Sequence, residues 1–72
     1  MLPEHKALIV QQEIQTLENT IYLLEVRARV AKKVGKPTDG IEKDMEDCER
    51  MIDELKTIRA EIETNHAELH AN

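Results

Sequence analysis

Aromatic residues and cysteines are almost absent from this sequence. Its 72 residues include one tyrosine, Tyr22, and one cysteine, Cys48, with no tryptophan or phenylalanine. A single cysteine excludes a disulfide within the chain and is consistent with a reducing compartment. Few aromatic side chains combined with 35% charged residues are typical of long helices and coiled coils, not of a mixed globular fold. The composition therefore predicts an all-α protein.

Long apolar runs and targeting signals are also missing. The longest runs, at 8–10 and 21–24, are far too short to cross a bilayer, and the first residues lack the basic start and apolar segment of a signal peptide. The net charge of −5 disfavours nucleic acid and anionic membranes as partners, because both are polyanions. We therefore expect a cytoplasmic protein that does not associate with membranes.

Glycine and proline, which interrupt helices, are concentrated near the middle of the chain. Both glycines and one of the two prolines fall within residues 34–42. Gly35 is suited to end a first helix, because glycine readily adopts the left-handed conformation found at helix C-termini. Pro37 then prevents the helix from continuing, and Asp39 is predicted to be the N-cap of a second helix.

The chain is therefore predicted to be one domain, residues 1–72, of the all-α class: an antiparallel two-helix coiled-coil hairpin. Helix one is expected at about 3–34, the turn at about 35–39 and helix two at about 40–70. A connection this short requires the helices to be antiparallel neighbours. Folding the chain about the turn pairs residues whose numbers sum to about 75, which places Ala28 opposite Cys48.

Apolar residues recur at steps of three and four along both predicted helices, which is the spacing of a coiled-coil seam. On helix two, Met51 and Ile58 broaden this stripe. The predicted hairpin core consists of Val10, Ile14, Leu17, Ile21, Leu24, Ala28, Ala31, Met45, Cys48, Ile52, Leu55 and Ile62.

Helix one carries a second apolar seam, formed by Leu23, Val26, Val30 and Val34. At 100° per residue this seam faces away from the core stripe, so helix two cannot cover both. A chain of this length also buries only about 60% of its unfolded surface and is marginally stable alone. We therefore predict a homodimer in which two hairpins form a four-helix bundle. The alternatives are a different protein partner, or cover by the stems of neighbouring basic side chains.

A basic cluster occupies the end of helix one and the turn, and comprises Arg27, Arg29, Lys32, Lys33 and Lys36. The hairpin brings the acidic stretch 44–49 of helix two to the same height, which predicts mutual neutralisation across the two helices. The alternative is a phosphate or RNA patch, although aromatic residues that could stack on bases are missing here.

Three histidines, His5, His66 and His70, fall at the open end of the hairpin. Together they could supply metal ligands, but terminal turns fray and position ligands poorly. We expect no metal and no cofactor. Cys48 lies on the core stripe, where a thiol behaves as a small hydrophobic group and not as a nucleophile. Asn19 either fixes the register of a dimer or is plain surface.

Motifs of catalysis are missing: the glycines match neither the Walker pattern nor the dinucleotide-binding pattern. The segment Ile14-x-x-Leu-x-x-x-Ile-x-x-Leu-x-x-Arg27, running into Val30-Ala-Lys-Lys-Val-Gly-Lys36, resembles the long first helix of all-helical chorismate mutases. That resemblance implies a three-helix enzyme whose anionic substrate is held by Arg27 and Lys36. Helix two departs from it, because it offers mostly acids where further basic residues are expected.

The sequence thus favours a small non-enzymatic interaction or regulatory protein that acts as a homodimeric bundle and binds a protein partner through its surface. The surface expected to bind a protein is the acidic outer face of helix two, defined by Glu42, Glu46, Glu49, Asp53 and Glu63. The alternative is an RNA-binding hairpin dimer that uses the basic cluster Arg27–Lys36. In architecture, though not in sequence, such a dimer is similar to small plasmid copy-number regulators that recognise paired RNA loops.

Overall fold

Two long helices packed side by side account for nearly all of the chain. The computed structural model describes the backbone of residues 1–70 and the side chains of residues 1–65. Helix α1 spans Pro3–Lys33 and helix α2 spans Asp39–His70. The chain forms a thin rod of 61 × 15 × 14 Å. The predicted all-α helical hairpin is confirmed for the single chain.

Helix α1 begins at a proline, whose fixed φ suits the first helical turn and whose missing N–H needs no partner there. The carbonyl of Leu2 accepts hydrogen bonds from the N–H groups of His5 and Lys6, at 3.0 and 3.1 Å. No side chain caps this end, although Glu4 places a negative charge in the first turn, where the helix dipole favours one.

The end of α1 is a Schellman motif built around Gly35. Gly35 has a φ of 76°, in the left-handed region that glycine adopts without a steric penalty. The Lys36 N–H donates to the carbonyl of Ala31 at 2.8 Å, and the Gly35 N–H donates to that of Lys32 at 3.3 Å. These two bonds satisfy carbonyls that the helix end would otherwise leave unpaired.

The start of α2 lies one residue earlier than predicted. Asp39 belongs to the helix, and the carbonyl of Thr38 accepts the first intrahelical hydrogen bond, from the Glu42 N–H at 2.9 Å. The Thr38 hydroxyl donates to the Glu42 carboxylate at 3.0 Å. Asp39 is therefore not the N-cap, because Thr38 takes that place and forms a side-chain link to the first turn.

The core of the hairpin is a single narrow layer between the helices. Among residues 1–65 the buried side chains are all apolar: Ile14, Leu24, Ala31, Cys48 and Ile52. Ile14 is the most enclosed, with 1% of its surface exposed. The other residues of the predicted core are half-buried: Val10, Leu17, Ile21, Ala28, Met45, Leu55 and Ile62. Chains of this size with so thin a core are marginally stable as a class.

The pairing between the helices is shifted from the predicted register. A sum of about 75 places Gln11 opposite Thr64, whereas the Arg59 guanidinium donates a hydrogen bond to Oε1 of Gln11. Ala28 lines a cleft with Met45. Part of the shift follows because α1 ends and α2 begins one residue earlier than expected, which lowers the sum by about two.

Candidate interaction surface

One face of α1 is left uncovered by α2. The four residues of the predicted dimer interface, Leu23, Val26, Val30 and Val34, all lie on this face, with exposures between 43% for Val26 and 62% for Val34. Each is large and aliphatic, and together they form a continuous apolar strip along the helix. Strips of this kind on small proteins commonly mark interaction sites.

The uncovered face is longer than the sequence prediction stated. Leu8, Ile9 and Tyr22 are also exposed and extend it toward the N-terminus. Ile9 lies on the same three-and-four spacing as the second seam, so this spacing is a signal that identifies it. Leu8 and Tyr22 were missed, because they lie at the edge of the seam and not along its line.

Helix α2 contributes little apolar surface of its own. Among its described side chains, Met51 is the one large hydrophobic residue that is exposed. Met51 was expected to broaden the core stripe. It instead projects beside the hairpin, because the narrow contact between two helices has no room for residues at the edge of the stripe, while Ile58 is half-buried.

The middle of the uncovered face is polar and bonded within α1. The Gln15 side chain donates to Oδ1 of Asn19 at 3.2 Å. The hydroxyls of Thr16 and Thr20 each donate at 3.0 Å to the carbonyl one turn earlier. Because these hydroxyls already donate to carbonyls of α1, another helix can pack over them without leaving a buried donor unpaired. Asn19 is exposed in the hairpin and keeps its amide donors available.

A groove at the C-terminal end of α1 combines apolar and basic side chains. Val30 and Val34 line it together with Arg29, Lys32 and Lys33. A partner that enters this groove therefore meets an apolar floor flanked by positive charge.

The prediction that the basic cluster is neutralised by direct ion pairs with acidic residues of α2 is wrong. Within residues 1–65, none of its five cations lies within 4.0 Å of an acidic residue of α2, and the ion pair that does form joins Arg50 to Asp47 within α2. Glu42 shares a cleft with Arg29 and Lys32 without contacting either as an ion pair. The reason is geometric, since residues 27–36 include positions on several sides of α1.

The acidic outer face of α2 is exposed along its length. Its five carboxylates, from Glu42, Glu46, Glu49, Asp53 and Glu63, all point to solvent in the single chain. Of these, Glu42 accepts the hydrogen bond from Thr38 described above. The face is thus a strip of negative charge whose two ends lie beside α1, where Glu42 shares a cleft with Arg29 and Lys32, and Glu63 shares one with Gln11.

The remaining candidate positions show no sign of a site. Cys48 is buried and forms no disulfide. His5 is exposed. Arg27 and Lys36, the two residues to which the chorismate mutase resemblance assigns substrate binding, are also exposed. The side chains of His66 and His70 lie outside the described residues. Within the described part of the chain, no three potential metal-binding side chains come together. In that same part, neither helix has an apolar stretch that could cross a membrane.

Comparisons with protein-family models, curated proteins and solved structures give no match to this chain. The uncovered face of α1 and the charges beside it are then the features from which a function can be inferred.

Proposed function

We propose that this chain is a non-enzymatic interaction or regulatory protein that works as a homodimeric helical bundle. The uncovered face of α1 packs against a second copy, and the acidic face of α2 is the surface offered to a protein partner. The observation that carries this proposal is the exposed strip from Leu23 to Val34, which the hairpin itself leaves open.

Burial of the strip in a dimer contributes a favourable free energy of association. A Val or Leu side chain gains about 1.5–3 kcal/mol on full burial, so these half-exposed side chains gain roughly 1 kcal/mol each. Four such residues in each of two copies supply roughly 8 kcal/mol, which is within the range of the cost of association. The exposed residues Leu8, Ile9 and Tyr22 raise the total when they are buried as well. A stable dimer therefore needs the longer face.

Dimerisation through α1 leaves both copies of α2 on the outside. Their acidic faces then point outward on two sides of the assembly, where a basic protein surface can reach them. Recognition of this kind acts on the rate and specificity of association more than on affinity, and weakens with salt.

Solution mass tests the proposed dimer. Sedimentation equilibrium of the wild type should give the mass of two chains, and Val30→Asp should give a single chain with much reduced helicity, because a carboxylate in the interface is unpaired and the lone hairpin is thin. Ala60→Asp adds the same charge at an exposed position on α2 and should stay dimeric. A wild type that is monomeric and still melts cooperatively rules out the proposal.

A second candidate function is RNA binding through the basic cluster, and one observation favours it. The five cations are exposed and free of ion pairs with α2, so their charge is available to phosphates. Retention on a polynucleotide column distinguishes the two functions. RNA binding predicts retention that is lost steeply as salt rises and is weakened in Lys32→Gln/Lys33→Gln, whereas a protein-binding role predicts no retention at about 0.15 M salt.

A further inference from the structure

We propose that the two copies pack α1 against α1 in antiparallel orientation over most of the helix, with their turns at opposite ends and Glu13 beside Arg27 of the partner subunit. This inference rests on the proposed dimer and adds its orientation and register. It makes the dimer a four-helix assembly with the two α1 helices inside and the two α2 helices outside.

The distribution of exposed apolar side chains selects α1 as the inner helix. Within residues 1–65, six of the exposed large hydrophobic residues lie on α1 and a seventh, Val34, is its C-cap, whereas one, Met51, lies on α2. The outer face of α2 is charged, so it offers no apolar surface to cover the strip. The face of the partner subunit that best complements α1 is therefore α1 itself.

The charge along α1 selects the antiparallel orientation. Residues 27–36 carry five basic side chains and no acid, whereas residues 4–19 carry three acids, Glu4, Glu13 and Glu18, and one base, Lys6. A parallel pair would place the two basic segments side by side. An antiparallel pair with its axis near Ile21 removes this repulsion, because residues 27–36 then lie along residues 6–15 of the other copy, which carry one acid, Glu13, and one base, Lys6.

The seam spacing fixes the register. The residues on the uncovered line of α1 continue at steps of three and four: Ile9, Gln12, Thr16, Asn19, Leu23, Val26 and Val30. When two such seams meet antiparallel with Gln12 opposite Val30 and Thr16 opposite Val26, the two-fold axis lies near Ile21 and residues 9–33 of the two helices overlap. Glu13 and Arg27 then flank the seam on the same side and meet across it twice, once on each side of the axis. Tyr22 lies near its own copy on the other side.

The competing antiparallel register centres the axis near Ala28, so that valine meets valine. It places Arg27 and Arg29 each opposite its own copy, and these like charges repel. It also overlaps only about a third of α1, residues 23–33, and leaves Leu8 and Ile9 uncovered. A contact this short falls below the area of about 1,000 Å² that stable interfaces exceed. The register centred near Ile21 avoids both problems.

The distance between the two turns separates these arrangements. Lys36 is exposed and lies outside the seam. A spin label at Lys36→Cys, in a Cys48→Ala background of verified mass, should give an interchain distance of about 40 Å at 1.5 Å rise per residue. A distance of about 30 Å or less overturns the proposed register, and about 10 Å indicates a parallel pair. A signal without dipolar modulation means a monomer, and so overturns the dimer itself.

A charge swap tests the contact of Glu13 with Arg27. Each of Glu13→Arg and Arg27→Glu should weaken dimerisation on the order of tenfold at low salt, because each turns two attractive pairs into repulsive ones. The double variant restores opposite charges and should dimerise like the wild type. Glu18→Arg makes the same charge change away from the seam and should have little effect. A double variant that is no better than the single ones overturns the proposed contact.

Discussion

Val30 and Ala31 are adjacent in the chain, about 100° apart around α1, and lie on different sides of the helix. Ala31 is buried in the hairpin with 9% of its surface exposed, whereas Val30 is 56% exposed. These two neighbouring residues show that α1 has two apolar sides, one packed against α2 and one exposed. A helix with two apolar sides is expected in the interior of an assembly and not at its surface.

Thermal stability should depend on protein concentration. In a dimer that unfolds to two chains, a hundredfold rise in concentration stabilises the folded state by about 2.7 kcal/mol. For a two-chain unit of this size, the midpoint should rise by roughly 5–10 °C. Circular dichroism melts at low and high concentration measure the shift. An unchanged midpoint contradicts the dimer, and Val30→Asp should show no shift.

Truncation of Ile14 should be far more damaging than truncation of Ile9. Ile14 is 1% exposed, so Ile14→Ala leaves a cavity in the only layer of the hairpin core and should cost about 2–4 kcal/mol per chain. Ile9→Ala removes the same atoms at a position that is half-exposed in the hairpin, and should cost about 1 kcal/mol. Urea denaturation compares the two; equal losses would mean that the core is not where the hairpin places it.

Substitution of the two glycines by alanine should have opposite effects. Gly35 has a positive φ and open space around it, so Gly35→Ala should destabilise by about 1 kcal/mol through backbone strain alone. Gly40 is inside α2 with open space at its Cβ position, so Gly40→Ala should stabilise by about 0.5 kcal/mol through helix propensity. Denaturant midpoints give both signs, and a stabilised Gly35→Ala contradicts the turn geometry.

Loss of the Thr38 hydroxyl should weaken the start of α2. Thr38→Val keeps the shape and removes the hydrogen bond to Glu42, which should cost about 0.5–1 kcal/mol. Thr38→Ser keeps the hydroxyl and should remain within a few tenths of a kcal/mol of the wild type. The free energies of unfolding of the two variants provide the comparison. Equal losses would show that packing of the methyl group, and not the hydroxyl, matters here.

The fold could be predicted because its signals are local and repeated. The three-and-four spacing indicates two helices wherever it is sustained, and Gly35 marks the end of the first through a backbone requirement that few other residues meet. The uncovered strip could be identified for the same reason, since angular position on a helix follows directly from residue number.

The contacts between the helices were harder to predict, because they depend on small offsets. The N-cap is Thr38 and not Asp39, which moves the fold point by one residue, and the side chain of Gln11 meets Arg59 in place of the predicted Thr64. The absence of ion pairs from the basic cluster to α2 has a related cause. Two side chains at the same position along the hairpin axis come into contact only when they also lie on facing sides of their helices.

The turn also sets the order in which the hairpin can assemble. Residues beside the Schellman motif at Gly35 meet after closing a loop of a few residues, whereas Gln11 and Arg59 must close one many times longer. Nucleation at the turn followed by zipping toward the chain ends is therefore the route with the lowest entropy barrier. Strain placed at Gly35 should consequently slow folding, while truncations near the termini should mainly speed unfolding.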